Sequence, residues 1–94
     1  MIDPKTTQIG GRGGDTQRAR RLSHAFPRLG ITDSGWSALH LDPGDGRFWE
    51  LTFPEGHLHG GGPPLLRVVS EEEARQKYGD GAVDQGRRHA GQDA

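Results

Sequence analysis

From Asp45 to Gly79 the chain passes without a gap through a turn, an aromatic strand, a Gly-Gly-Gly-Pro-Pro corner, a further apolar run and a capped helix. Each of these dictates its neighbour. Asp42-Pro43-Gly44-Asp45-Gly46 presets φ with a proline and supplies two glycines able to take positive φ, so it turns the chain between two runs, Trp36 to Leu41 and Arg47 to Phe53. Both runs are rich in β-formers, and together with the turn they predict a β-hairpin. Leu65 to Val69 predicts a third strand. Ser70-Glu71-Glu72-Glu73 then reads as a capping box, in which the serine hydroxyl and the Glu73 carboxylate each accept from the other's backbone amide. Three acids at the positive end of the helix dipole, Arg75 and Lys77 near the negative end, and Gly79 as a left-handed cap complete that helix.

Upstream, Ala19, Leu22, Phe26 and Leu29 recur at steps of three and four, with Arg18, Arg20 and Arg21 largely off their face. The pattern predicts an amphipathic helix of about three turns, capped by Asp15 or Thr16 and ended near Phe26 by Pro27. The expected fold is α+β, a small three-stranded, mainly antiparallel sheet with this N-terminal helix and the short capped helix at the C-terminal side. Residues 1–14 are read as a flexible Gly-rich lead-in, 15–79 as the single domain, and 80–94, with only Ala82 and Val83 as notable apolar side chains, as a disordered tail.

Composition narrows the chemistry. A single domain of 94 residues that is 30% hydrophobic, with 16 glycines, has room for one small core. The absence of cysteine excludes thiol redox chemistry, disulfides and thiolate metal sites. With no apolar h-region and no long apolar run, the chain reads as soluble and cytoplasmic. Its net charge of -1 conceals an asymmetry: residues 1–35 carry six basic against three acidic groups, whereas residues 36–94 carry six against ten. An acidic organised half argues against nucleic acid and suits a basic partner surface.

The candidate sites are weak as catalysts. His57 and His59 alternate, and with Glu55 or His40 they could ligate zinc, giving the alternative of a small metal-binding domain or metal-dependent enzyme. The usual ligand spacings are missing, however. Glu50 and Glu55 resemble an acid-base pair without a cleft to serve. Gly60-Gly61-Gly62 could form an anion-binding nest, but it leads into Pro63-Pro64, which lack amides, and then into a strand rather than a helix. These five residues are therefore read as a structural corner. Phe48 and Trp49 are consecutive on a strand and face opposite sides, which predicts one partly exposed aromatic as a binding hot spot.

Asp42-Pro43 with Asp45-Gly46-Arg47, Trp49-Glu50 with Pro54, His59 to Pro64 with Leu65, and Ser70 to Ala74 leading to Lys77-Tyr78-Gly79 occur in an order that resembles the immunity protein 27 family of bacterial polymorphic toxin systems. The resemblance covers Ser34 to Gly79 and, more weakly, the helix before it. It implies a non-catalytic α+β protein without cofactor that binds and neutralises a cognate toxin domain, protecting the producing bacterium and its kin. Trp49, Glu50, Glu55 and His59 are then the expected partner-binding residues. Members of that family carry a Trp-containing strand before the helix, and the short, Gly-rich Ile9 to Gly14 predicts its loss here.

Overall fold

The computed structural model describes residues 2–11, 14–32, 35–53 and 62–92, with the side chains of 89–92 outside that description. The first helix, α1 (Thr16–Ala25), begins where Asp15 Oδ1 accepts from the Arg18 amide at 2.9 Å. It ends as proline chemistry requires, because the residue before a proline is driven out of the helical region. Phe26 is extended (φ -79°, ψ 137°), its amide donates back to the Leu22 carbonyl, and the Pro27 carbonyl already accepts from the Leu41 amide at 3.1 Å. The chain therefore enters the sheet at once. Leu29, which the helical spacing placed on the face of α1, instead belongs to β2 (Arg28–Ile31), where a bulge between Arg28 and Gly30 shifts the register.

The expected hairpin forms from β3 (Ser37–Leu41) and β4 (Phe48–Thr52), which pair antiparallel from Ser37↔Thr52 to Leu41↔Phe48. In its turn Asp42 Oδ1 accepts from the Gly44 amide at 2.8 Å, and Gly46 takes φ 77°. The third expected strand, β5 (Leu65–Val69), pairs antiparallel with β4. Two further strands lie outside these three, so the described sheet has five, in the order β1-β5-β4-β3-β2. One is β2 and the other is β1 (Gln8–Gly10), inside the supposed lead-in. A three-residue strand with a single apolar side chain, Ile9, has no alternation to detect, yet Ile9 is buried and pairs with Leu66.

The glycines that looked like slack are needed for close approach. Gly10 (φ 90°) and Gly11 (φ 76°) bring the backbone so near the Pro63-Pro64 corner that the Gly11 amide donates to the Pro64 carbonyl at 2.7 Å. A Cβ on Gly10 would lie 2.5 Å from that oxygen. Arg47 secures the same segment from the hairpin side. Its guanidinium donates to the carbonyls of Thr6 (2.7 Å), Pro4 (3.4 Å) and Asp3 (3.4 Å), while Nε bonds Asp45 Oδ2 at 2.6 Å.

Both faces of the sheet are covered. On one, Ile2, Ile9, Trp49 and Leu66 pack with Ala19 of α1, flanked by Leu22, Phe26, Leu51 and Val68. On the other, Leu29, Leu39, Leu41, Phe48 and Val69 pack with Ala74, Tyr78, Ala82 and Val83. Ala74 and Tyr78 come from α2 (Glu71–Tyr78), whose capping box forms as expected, with Glu73 N donating to Ser70 Oγ at 3.0 Å and Ser70 N to Glu73 Oε1 at 3.4 Å. Ala82 and Val83 come from α3 (Asp80–Gln92), which occupies most of the stretch read as a disordered tail. Helix propensity argues against α3, since it contains Gly81, Gly86 and Gly91. Tertiary contact overrides propensity: Val83 is fully buried, and Gly86 sits so close to the sheet that a Cβ would lie 2.8 Å from both Leu29 Cδ1 and Phe48 Cε1. Salt bridges join the two helices, Arg75 to Asp80 and Asp84, and Arg87 to Glu71. Among the described residues no helix is long and apolar enough to cross a membrane.

The glycines of α3 give a pair of substitutions with opposite signs. Gly81 is exposed with open space around its Cβ position, so Gly81→Ala should stabilise by about 0.5 kcal/mol through helix propensity. Gly86→Ala gains the same propensity but must displace the Phe48 ring, and should destabilise by about 1–3 kcal/mol. Urea denaturation of the two variants checks both signs.

Candidate functional site

Of the four expected partner-binding residues, Glu55 and His59 lie outside the described residues, as do His57, Gly60 and Gly61. Trp49, at the centre of β4, is fully enclosed, with the Arg47 guanidinium 5.0 Å from its ring centroid. Phe48 is buried as well, because α1 covers one face of the sheet and α2 with α3 the other. The exposed aromatic expected from this pair is therefore found elsewhere. In the corner, Gly62 has φ 69° and Pro64 is buried.

Glu50, the fourth, is an ionised side chain placed almost in the core, with its side chain only 6% exposed. The alternation that puts Trp49 against α1 turns Glu50 toward α2, where its partners wait. Oε2 accepts from Tyr78 OH at 2.8 Å and lies 2.8 Å from Lys77 Nζ, while Oε1 is 3.5 Å from Arg67 Nη2. Burial alone would raise the carboxyl pKa, but the hydrogen bonds from Lys77 and Tyr78 and the attraction of Lys77 and Arg67 outweigh it and hold the group below its ordinary value of 4.5. Burial, then the adjacent Glu50 charge, pushes the Tyr78 phenol upward, so that it remains a proton donor. A hollow of about 340 Å³ opens beside the cluster, lined also by Glu73 and Gln76. This is a carboxylate whose two oxygens are both engaged, and its chemistry is to tie β4 to α2.

The larger concavity, about 490 Å³, lies on the other face where α1 ends. Phe26, Ile31, Trp36, Leu51 and Phe53 line it, with His24 and Arg28 among its polar residues and His40 completing the wall. Trp36 and Ile31 are each 51% exposed, and the Trp36 ring meets Phe53 edge to face, with centroids 6.0 Å apart and planes at 75°. Trp36 stands outside β3, after Gly35 (φ 77°), which removes it from the pleat and leaves it on the surface. The sequence reading placed Trp36 at the start of the strand, which begins one residue later, and its position beside a glycine was the available signal. His40 is buried, and its Nδ1 lies 3.2 Å from the Phe26 carbonyl, an acceptor that requires Nδ1 to carry the proton. Burial, aided by repulsion from Arg28 and His24, lowers its pKa below 6.5 despite the bond to Phe26. The ring is therefore neutral at pH 7, and Nε2 has no hydrogen-bond partner among the described residues. Among those residues no three His, Asp or Glu side chains gather as a metal site, and the alternative set's His57, His59 and Glu55 lie beyond them.

A profile of the immunity protein 27 family matches residues 16–70, more than half of the chain. The chain belongs to that family. No curated protein and no solved structure shows a significant match to it. The matched segment runs from the start of α1 to the cap of α2 and contains every residue that lines the aromatic groove.

Two titrations make stability depend on pH in the same direction. Below about pH 6.5 the unfolded chain protonates His40 before the folded chain does, so stability falls until the lowered folded value is passed. The contribution of Glu50 is complete above pH 4.5 and is lost as pH falls through its depressed folded value. Urea melts between pH 7.5 and 5 should lose part of their slope in His40→Asn, whose amide can still donate to the Phe26 carbonyl. At pH 7, Tyr78→Phe removes a hydrogen bond to a charged acceptor and should cost about 1.5–3 kcal/mol.

Proposed function

We propose that this protein is an immunity protein that binds the cognate toxin domain of a bacterial polymorphic toxin system and keeps it inactive in the cytoplasm of the producing cell. It acts by occupying the toxin's surface and performs no reaction of its own. The observation that carries this reading is the family match over residues 16–70, which spans α1 and four of the five strands.

The physical character of the two concavities supports the same reading. The Glu50 cluster is a closed set of opposite charges with a phenol that stays protonated, which suits holding a scaffold rather than moving protons. The groove carries Phe26, Trp36 and Phe53, the kind of side chain enriched in protein contacts. In this account Trp49 and Glu50 serve neutralisation by fixing β4, and Glu55 and His59, between β4 and β5, are proposed contacts.

Co-expression with the toxin domain encoded in the adjacent gene should restore growth to a host that the toxin alone arrests, and the two chains should co-purify as a stable complex. Folded protein that neither protects the host nor co-purifies with the toxin would overturn the proposal.

A further inference from the structure

We infer that the toxin-facing surface is the aromatic groove at the end of α1, and that its occupant is a segment of the partner protein bearing carboxylates around an apolar side chain. This rests on the immunity reading and adds the surface and the chemistry of the partner. Three observations converge on it.

The first is exposure. Trp36 and Ile31 are the exposed large hydrophobic residues of the described chain, and both line this one groove, beside Phe26 and Phe53. An edge-to-face aromatic pair with half of the tryptophan in solvent is the kind of anchor that dominates protein interfaces.

The second is charge. On the far side of the sheet four cations are engaged within the chain: Arg67 and Lys77 with Glu50, Arg75 with Glu71, Asp80 and Asp84, and Arg87 with Glu71. Six of the ten acids of that half, Asp45, Glu50, Glu71, Glu73, Asp80 and Asp84, are thus held in ion pairs, so its excess of negative charge does not mark one free acidic patch. The stretch from Thr16 to Ile31 is different, since it carries Arg18, Arg20, Arg21 and Arg28 and contains no carboxylate. No carboxylate among the described residues forms a salt bridge with any of these four. Of these four, Arg28 lines the groove itself, so a cation without an ion-pair partner among the described residues stands where the groove opens, and such a charge favours an acidic surface.

The third is the extent of the family match. All of the groove falls within residues 16–70, whereas Glu73, Gln76, Lys77 and Tyr78 of the opposite hollow fall outside it. A basic aromatic groove can also stack single-stranded nucleic acid. Here Ile31 and Leu51 stand among the aromatic side chains of the wall, and aliphatic groups in that position favour a protein side chain over a row of bases.

The test measures affinity for the purified toxin domain from the adjacent gene, by calorimetry at low and high salt, together with a thermal melt of each variant. Trp36→Ala, at a half-exposed position, should fold normally and weaken binding at least ~10-fold, as loss of an interface anchor does. Arg28→Glu should weaken it similarly at low salt and less at high salt, because exposed charges are screened. Glu72→Arg, an exposed change on α2, should leave affinity unchanged. Wild-type protein that binds the toxin, with both groove variants binding equally well, would overturn the inference and leave the immunity reading intact. Weakening by Glu72→Arg alone would do the same. A wild type that does not bind the toxin removes both. A labelled oligothymidine that binds the groove, competes with toxin and is lost in Trp36→Ala would reassign the site to nucleic acid.

Discussion

The central strand β4 is buried on both faces from Phe48 to Glu50, and the rest of the fold follows from that. Consecutive side chains point to opposite faces, so Phe48 must be covered by α2 and α3 and Trp49 by α1. A chain that is 30% hydrophobic can cover two faces only by concentrating its apolar residues at contact points and letting glycine bring backbones together elsewhere. Gly86 against Phe48 and Gly10 against Pro64 are two such points. Glu50 is the cost of burying both sides, because the next residue along the strand is charged and must find its partners under α2 rather than in solvent.

What could be read in the sequence was whatever carried several local cues at once. The β3–β4 hairpin had a Pro-Gly turn between two aromatic runs, α2 had a complete capping box, and α1 had its periodicity and a terminating proline. The missed elements lacked such redundancy. β1 is a single apolar residue between polar ones, and Leu29 of β2 happens to continue the helical spacing of Leu22 and Phe26 across the proline that breaks it. In α3, Ala82 and Val83 make the contacts while the glycines signal disorder. For the candidate site the failure was similar in kind. Trp36 differs from Trp49 only in lying one residue outside a strand, and the partners of Glu50 come from Lys77, Tyr78 and Arg67, at sequence distances that no local pattern encodes.

Net charge proved a poor guide to the surface because ion pairs are made in three dimensions. The acids of the C-terminal half meet the bases of the same half, and the arginines of α1 meet none among the described residues. Among the described residues the ion pairs thereby gather around the two C-terminal helices and the hairpin turn, while Arg28 stands in the wall of the aromatic groove.

Ile9 pairs with Leu66, and the carbonyls of Asp3, Pro4 and Thr6 are held by Arg47. The strand that precedes α1 thus finds its hydrogen-bonding partner only in sequence that lies much later in the chain. During translation the N-terminal strand emerges without an edge to join, while β2, β3 and β4 can already form their meander. Because β1 pairs with β5 alone, it has no edge to join until β5 is in place.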